Sequence, residues 1–264
     1  MATYLDEILA HHRARVATDD RDWHERADSV RAPVPSLLAA LSDSANTNVK
    51  VIAEVKRRSP SKGWLHEDLD VAHLARAYAD GGATAISVLT DAEHFSGSLE
   101  DLETVAHTVQ LPLLRKDFTV SENDVLDAAD AGASAVLLIV AALSDGELQA
   151  FLTVTHDAGL DAIVEVHDDD EARRAIDSGA RIIGVNQRNL HTFDVDRDNA
   201  ARVIQSLSSS IVTVCESGLS SAEDVARAAA AGFDAVLVGE SFVTSANVTE
   251  AVRSFSTVPL VPRG

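Results

Sequence analysis

A short phrase that recurs four times along the chain constrains its fold most strongly. In each copy a helix-like, alanine-rich stretch ends at a small residue and a glycine, and a short apolar run follows. The copies are GGATAISVL from Gly81, AGASAVLLIV from Ala131, SGARIIGV from Ser178 and AGFDAVLVG from Ala231. Since glycine readily takes the left-handed backbone that ends many helices, each phrase predicts a helix C-cap followed by a strand. The glycines concerned are Gly82, Gly132, Gly179 and Gly232.

Four more apolar runs complete a set of eight predicted strands. They are VKVIAEVK from Val49, LPLLRKDF from Leu111, LDAIVEV from Leu160 and IVTVCES from Ile211. Such Val, Ile, Leu and Ala content is typical of parallel strands covered on both faces, and helical patterns such as SAEDVARAAAAG from Ser221 fill the gaps. Eight β/α units favour a closed (β/α)8 TIM barrel, an α/β fold, over an open doubly wound sheet. The glycine-rich dinucleotide fingerprint of the open sheet does not follow the first strand.

The chain divides into three predicted parts. Residues 1–48 form an N-terminal helical extension with amphipathic stretches at Tyr4 to Val16 and Ser36 to Leu41. We expect this extension to cap the bottom of the barrel or to overhang its mouth. Residues 49–258 form the barrel, and residues 259–264 form a tail whose LVPRG, from Leu260, is either a protease-site remnant or a native end.

The charge balance argues against several classes of partner. Forty-two Asp and Glu face 22 Lys and Arg, a net charge of −20, so the surface should repel nucleic acid and acidic membranes. Lysine is scarce, and the four in the chain are Lys50, Lys56, Lys62 and Lys116. This balance suggests adaptation to high salt, which would screen the self-repulsion of the surface. An ordinary acidic protein is the alternative.

Other sequence features bear on location and on metal binding. The chain has no run of about 18 apolar residues, and Asp6 and Glu7 do not fit a signal peptide. We therefore expect a cytoplasmic protein that does not bind membranes. The single cysteine, Cys215, cannot form an intramolecular disulfide, and the Cys and His positions lack zinc-ligand spacing. We expect no bound metal.

Polar residues at the predicted strand exits are the candidates for a site, because chemistry in such a barrel lies at the carboxyl ends of the strands. They are Glu54 and Lys56 after strand one with Ser59 to Gly63 in the next loop, Lys116 and Asp117 after strand three, Glu165 after five, Asn186 and Arg188 after six, Glu216, Ser217 and Gly218 after seven, and Gly239 after eight. A lone charged strand end is usually solvated or ion-paired, but seven converging groups predict an acid–base site.

The types of residue at these exits suggest how the site works. A lysine near another cation should have a lowered pKa, and a partly desolvated glutamate a raised one, and both shifts suit acid–base catalysis. Gly218 and Gly239 fit the phosphate site common in these barrels, although glycines after strands are also ordinary turn residues. The loop from Ser59 to Gly63 is either a turn or a flap that closes over an anion.

Seven stretches then follow one another in a characteristic order. They are IAEVKRRSPSKG from Ile52, AISVLTDAEHFSGS from Ala85, LRKDF from Leu114, VEV from Val164, GVNQRNL from Gly184, ESGLSS from Glu216 and VGES from Val238. Together they span nearly the whole barrel and resemble the indole-3-glycerol phosphate synthase family. The resemblance implies conversion of a carboxyphenylamino deoxyribulose phosphate into indole-3-glycerol phosphate, with loss of carbon dioxide and water, in tryptophan biosynthesis. It also implies that no metal or organic cofactor takes part.

The resemblance implies particular catalytic roles. Lys116 would be the general acid that protonates the substrate carbonyl as the aromatic carbon attacks it. Glu165 would assist the dehydration. Lys56 would pair with the anionic groups of the substrate and deliver a second proton, and Glu54 would fix Lys56 and the departing hydroxyl. The remaining catalytic positions, which would orient these groups, are Asn186 and Glu216.

The resemblance also implies a set of substrate-binding residues. The phosphate would lie near Ser59, Ser217, Gly218, Gly239 and Glu240, and the anthranilate part near Arg188, Pro60, Phe95 and Phe118. Some members of the family carry Ser or Thr where this chain has Glu240. Because a carboxylate repels phosphate, the backbone of that residue is expected to bind rather than its side chain.

Two alternatives stand beside this interpretation. Phosphoribosylanthranilate isomerase, another barrel of the same pathway, places a catalytic Cys at the end of strand one, where this chain has Glu54 and Lys56, and Cys215 lies late in strand seven instead. A non-catalytic barrel that serves as a scaffold would not be expected to retain every site residue. We expect His66, His94 and His191 to be loop residues rather than catalysts, and the protein to be a monomer.

Overall fold

Eight parallel strands form a closed barrel in the computed structural model, which describes residues 3–27, 34–60, 62–188 and 195–263. The strands are β1 (Lys50–Val55), β2 (Ala85–Leu89), β3 (Leu113–Lys116), β4 (Ala135–Ile139), β5 (Asp161–Val166), β6 (Ile182–Asn186), β7 (Val212–Glu216) and β8 (Ala235–Val238). Each strand pairs with the next, and β8 pairs with β1 with Lys50 opposite Ala235. The predicted (β/α)8 fold is confirmed.

Helices precede the barrel and alternate with its strands. They are α1 (Tyr4–Val16), α2 (Trp23–Ala27), α3 (Leu37–Leu41), α4 (Val71–Asp80), α5 (Ala92–Phe95), α6 (Leu99–Thr108), α7 (Glu122–Asp130), α8 (Asp145–Asp157), α9 (Asp169–Asp177), α10 (Arg197–Gln205), α11 (Ala222–Ala231), α12 (Glu240–Val243) and α13 (Val248–Ser256). A 3-10 turn spans Val140–Ala142, and a small hairpin pairs Arg58–Ser59 with Gly63–Trp64. Within the described residues, no helix has the length and apolar character needed to cross a membrane.

The ends of the helices follow from their sequences. The hydroxyl of Ser221 accepts a hydrogen bond from the Asp224 amide and so caps α11, as its position predicts. The four glycines of the recurring phrase all have positive φ, between 85° and 105°, where a side chain would strain the backbone. Each therefore ends a helix and directs the chain into the next strand.

Alternation along each strand separates two apolar layers. On β1, Val51, Ala53 and Val55 face outward and pack against the surrounding helices, whereas Ile52 faces the barrel interior. Glu54 lies on the same side of the strand as Ile52, one step closer to the carboxyl end. Above the first residues of the strands, where Lys50 is buried, the interior is apolar, and charged groups gather again at the carboxyl ends.

The two predicted positions of the N-terminal extension are both occupied, by different helices. Leu37 and Leu41 of α3 are buried against the interior cluster where the strands begin, and the backbone N–H of Leu38 donates to Asp161 at 3.0 Å. Leu5 and Ile8 of α1 instead lie at the opposite end, where they line the mouth of the barrel. The extension thus closes the floor and contributes one wall of the mouth.

Candidate active site

A cavity of about 370 Å³ lies at the carboxyl ends of the strands. The structure brings all fifteen residues to which a catalytic or substrate-binding role was assigned to its lining. These residues are Glu54, Lys56, Ser59, Pro60, Phe95, Lys116, Phe118, Glu165, Asn186, Arg188, Glu216, Ser217, Gly218, Gly239 and Glu240. Apolar residues of the barrel and of α1 form most of the remaining wall, which also contains Lys62, Asp117, Ser220 and Ser241.

Lys56 and Glu54 form a close pair at the end of β1. The Lys56 ammonium donates to Glu54 Oε1 at 2.5 Å, and only 5% of the Glu54 side chain is exposed. The Tyr78 hydroxyl donates to the Glu54 backbone carbonyl at 2.9 Å and fixes the end of the strand. The i, i+2 spacing of the pair puts both side chains on the cavity face, as alternation predicts.

Lys116 stands between two buried carboxylates. Its Nζ lies 3.6 Å from Glu165 Oε2 and 4.0 Å from Glu216 Oε2. Burial alone would lower the pKa of Lys116, but the carboxylates of Glu165 and Glu216, with a smaller contribution from Glu54, raise it above its usual value. The expectation of a lysine with a lowered pKa is therefore wrong for Lys116, because its charged neighbours here are acids.

The two glutamates beside Lys116 differ in their surroundings. Burial raises the pKa of Glu216 well above its usual value, and the nearby charge of Glu165 raises it further. Burial would also raise the pKa of Glu165, but Lys116 and His167 outweigh it and lower it. Glu165 Oε1 also accepts a hydrogen bond from the Asn186 amide at 3.2 Å. One buried carboxyl therefore favours the protonated form and its neighbour the ionised form.

Two glycines make room for these side chains. A Cβ on Gly184 would lie 2.1 Å from Glu216 Oε1, and a Cβ on Gly239 would lie 2.5 Å from Glu54 Oε1 and 3.1 Å from Lys56 Nζ. Any side chain at either position would displace a charged group of the cavity. Sequence reasoning missed Gly184, although a glycine inside a buried strand is itself a sign of close approach.

The exit of β7 has an unusual backbone. Ser217 and Gly218 both have positive φ, 67° and 70°, which costs a non-glycine residue such as Ser217 about 1–3 kcal/mol. The Ser217 hydroxyl donates to Asn186 Oδ1 at 2.8 Å and links this turn to the end of β6. Gly239 precedes the short helix α12. Backbone N–H groups at these two turns are suited to bind an anion.

Glu240 and Lys62 lie together at the rim of the cavity. The Glu240 carboxylate is 3.7 Å from Lys62 Nζ, and both side chains are about half exposed. The Glu240 carboxylate therefore lies within ion-pair distance of a cation, which offsets part of its repulsion of an anionic ligand. Lys62 belongs to the candidate loop from Ser59 to Gly63 and joins the lining, although the sequence analysis assigned it no role of its own.

An aromatic and apolar wall faces the charged groups. The rings of Phe95 and Phe118 lie with their centroids 6.4 Å apart, and Pro60 lines the same cavity. Leu5 and Ile8 of α1 add to this wall, and sequence reasoning did not assign them to the site. The wall suits a flat aromatic group, whereas the opposite side suits anions.

Among the described residues, His66, His94 and Cys215 lie outside the lining of the cavity. His66 is exposed in a loop, as expected. His94 lies in the short helix α5 and not in a loop, and its Nδ1 is 3.1 Å from Asp91 Oδ2. His191 falls outside the described residues. Cys215 is buried in the outer apolar layer between the barrel and its helices.

One buried group of His12, Asp91 and Asp117 has the spacing of metal ligands. Its atoms already bond to protein groups. His12 Nε2 is 2.8 Å from Asp91 Oδ2, while Asp117 Oδ2 accepts from Thr90 at 2.6 Å and from Arg115 at 2.8 Å. The group joins α1 to the exits of β2 and β3.

Fold and site together define a (β/α)8-barrel enzyme that performs acid–base chemistry on an anionic small molecule. The family model described as indole-3-glycerol phosphate synthase matches residues 5–255. Relatives of that name include a Micrococcus luteus protein, 48% identical over 265 residues that cover 98% of this chain and 99% of the relative. Another, from Arthrobacter sp. (strain FB24), is 46% identical over 261 residues, with 96% of each chain covered. The chain belongs to the indole-3-glycerol phosphate synthase family and is a carboxy-lyase that forms indole-3-glycerol phosphate. The predicted function is confirmed, and the isomerase and scaffold alternatives are set aside.

More distant solved structures share the fold alone. A 3-hexulose-6-phosphate synthase from Salmonella typhimurium superposes with a TM-score of 0.66 at 16% identity, covering 78% of this chain and 96% of its own. An N-acetylmannosamine-6-phosphate 2-epimerase from Clostridium perfringens has a TM-score of 0.62 at 14% identity, covering 81% of this chain and 93% of its own. These likenesses agree with the closed barrel.

Proposed function

We propose that Lys116 is the general acid of the ring closure and Glu165 the proton acceptor of the dehydration that follows. The observation that supports this proposal is the position of the Lys116 ammonium between Glu165 and Glu216 inside the cavity. The ionised Glu165 beside it keeps this lysine protonated at neutral pH, so it can donate to the substrate carbonyl oxygen as negative charge develops there.

The reaction would proceed through three steps, which are ring closure, decarboxylation and dehydration. The ring carbon that bears the carboxylate bonds to the carbonyl carbon while Lys116 protonates the oxygen. Loss of carbon dioxide returns its bonding electrons to the ring and restores aromaticity. Glu165, which is ionised, accepts the proton removed from the neighbouring carbon as the new hydroxyl leaves as water. Lys56 donates the proton that this leaving hydroxyl needs, and Glu54 holds Lys56 in place.

The cavity would orient the substrate by its two anionic ends. The phosphate would bind the backbone N–H groups at Gly218 and Gly239, with Lys62 above them. The carboxylated ring would lie against Phe95 and Phe118, with its carboxylate toward Arg188. Gripping both ends of a flexible chain brings the reacting atoms together, which is largely an entropic task.

The test is fluorescence of indole-3-glycerol phosphate formed from synthetic substrate. The unaltered chain should turn over, and Lys116→Met should lose about 10²–10⁴-fold in kcat, the range expected for a general acid. Lys50→Met, which removes the buried lysine at the opposite end of the barrel, is the matched control and should keep its turnover. Equal turnover by Lys116→Met and the unaltered chain would overturn the assignment of the general acid.

We also propose that the chain is adapted to high salt. The support is its charge of −20 together with the scarcity of lysine outside the site. Salt screens repulsion between like surface charges, so the unfolding temperature should rise markedly with KCl concentration. An unfolding temperature that is independent of KCl would contradict this proposal.

We further propose that the protein is a monomer; in support, the residues proposed for catalysis and substrate binding all line one cavity of a single chain. Sedimentation at the concentration of the activity assay should give the mass of a monomer. A stable dimer under those conditions would contradict this proposal.

A further inference from the structure

His167 lies directly behind a proposed catalytic carboxylate, outside the lining of the cavity. It follows β5 two residues after Glu165, and its Nε2 is 3.6 Å from Glu165 Oε1. This nitrogen is buried and has no hydrogen-bond partner among the residues that the structure describes. A buried polar atom without a partner is rare enough to require an explanation.

The other side of the imidazole faces acids from α9. Its Nδ1 lies 3.1 Å from Glu171 Oε2, and the same carboxylate accepts from the His167 backbone N–H at 2.7 Å. Asp168, the N-cap residue of α9, adds a further negative charge nearby. From α10, the neutral amide of Asn199 donates to the His167 carbonyl at 2.5 Å. Among the described residues, the charged groups that shift the pKa of this ring are the carboxylates of Glu165, Glu171 and Asp168, and they favour its protonated form.

Glu165 and Glu216, the two buried glutamates beside Lys116, have different further neighbours. Lys116 is nearly equidistant from Glu165 and Glu216, at 3.6 and 4.0 Å, so it discriminates little between them. Glu165 has His167 and the Asn186 amide as further neighbours, whereas Glu216 has the acid Glu54. Lys116 thus acts on both glutamates, whereas the further donor and the further positive charge act on Glu165.

We propose that His167 is a positioning residue that keeps the negative charge of the Glu165 and Glu216 pair on Glu165. The protonated imidazole acts on the reaction through Glu165 and does not touch the substrate. It holds Glu165 ionised to accept a proton and leaves the single proton of the pair on Glu216. This inference rests on the proposed role of Glu165.

The test is the pH dependence of kcat/KM for three variants. In His167→Asn, Glu165 loses a neighbouring positive charge, so the acidic limb of the profile should move to higher pH by about one unit or more. At alkaline pH, where His167 is neutral in the unaltered enzyme, the two profiles should run parallel. His167→Lys restores a positive charge and should move the limb back. Glu171→Gln removes the carboxylate that favours protonated His167. It should therefore move the acidic limb to higher pH, as His167→Asn does, but by less.

Two controls separate this inference from the proposed function. His156→Asn, at an exposed histidine of α8, should leave the profile unchanged. Glu165→Gln tests the proposed role on its own, and full activity in that variant would refute that role. If Glu165→Gln is inactive while His167→Asn loses activity equally at every pH, only the role of His167 is overturned. Circular dichroism checks that each variant folds.

Discussion

Lys50 and Lys116 lie at opposite ends of the same barrel, Lys50 buried and Lys116 17% exposed, and their surroundings shift their pKa values in opposite directions. Lys50, at the start of β1, donates to the backbone carbonyls of Asn46 at 2.5 Å and Asn48 at 3.2 Å. Burial lowers its pKa, and the more distant charges of Asp43 and Asp234 oppose this only in part. Lys116 has the acids Glu165 and Glu216 at ion-pair distance, and its pKa rises instead.

The difference shows that depth alone does not decide the charge of a buried lysine. Carbonyl dipoles satisfy the N–H groups of Lys50 without supplying a full counter-charge, whereas the mouth of the barrel supplies carboxylates from β5 and β7. The same contrast separates the end of the barrel that stabilises the fold from the end that carries the active site. Apolar side chains of α3 close the floor. At the mouth, the charged groups balance one another or are balanced by a bound ligand.

The largest expected effect comes from removing a carboxylate beside Lys116. Glu165→Gln should lower kcat by about 10²–10⁴-fold, because the variant cannot accept a proton. Asp161→Asn alters the acid at the other end of the same strand, where it bonds Ser36 and the Leu38 N–H, and should leave kcat near its original value. Steady-state kinetics of the two variants measures this. Equal losses of kcat in both would contradict the different roles assigned to the floor and the mouth of the barrel.

A smaller loss is expected from Gly184→Ala. The added Cβ would overlap Glu216 Oε1, so the carboxylate must move away from Lys116. A displacement of about 1 Å at a catalytic group costs on the order of 10²-fold in rate. Gly146→Ala, where a Cβ would meet open space, is the control and should retain full activity. Unchanged kcat in Gly184→Ala would show that the position of Glu216 does not matter.

The barrel fold and most of the residues that line its mouth could be predicted from the sequence, because both depend on local patterns. The recurring glycines end helices by their own backbone preference, and alternation alone places Glu54 and Lys56 on one face. These rules need no knowledge of distant residues, so they hold for each strand in turn.

Properties that depend on contacts between distant segments could not be predicted in this way. The raised pKa of Lys116 requires the distances to carboxylates on β5 and β7, and the wall formed by Leu5 and Ile8 requires the destination of α1. An amphipathic helix shows that it has an apolar face but not which surface the face covers. The contact between His167 and Glu165 was also missed, because a histidine after a strand usually belongs to a loop.

Lys50→Met should affect stability and not turnover. Losing the ammonium leaves the carbonyls of Asn46 and Asn48 without their donor, which should cost about 1–3 kcal/mol of unfolding free energy. Because the folded-state pKa of Lys50 is lowered, the folded protein binds fewer protons than the unfolded one at mildly alkaline pH. The unaltered protein should therefore gain stability relative to Lys50→Met as pH rises toward the usual lysine value. Urea unfolding at several pH values measures this, and a stability difference that shrinks as pH rises would contradict the lowered pKa.

The smallest expected effect concerns how the α1 wall is held at the mouth. His12 Nε2 lies 2.8 Å from Asp91 Oδ2, and Asp91 also caps α5 by accepting from the His94 N–H at 2.6 Å. His12→Asn should loosen α1 and raise KM by about three- to tenfold, equivalent to one hydrogen bond, with kcat nearly unchanged. The exposed neighbour His11→Asn should leave both constants alone, since its ring lies beside this contact without bonding Asp91. If His12→Asn lowers kcat and leaves KM unaltered, α1 influences the chemistry at Lys116 and does more than enclose the substrate.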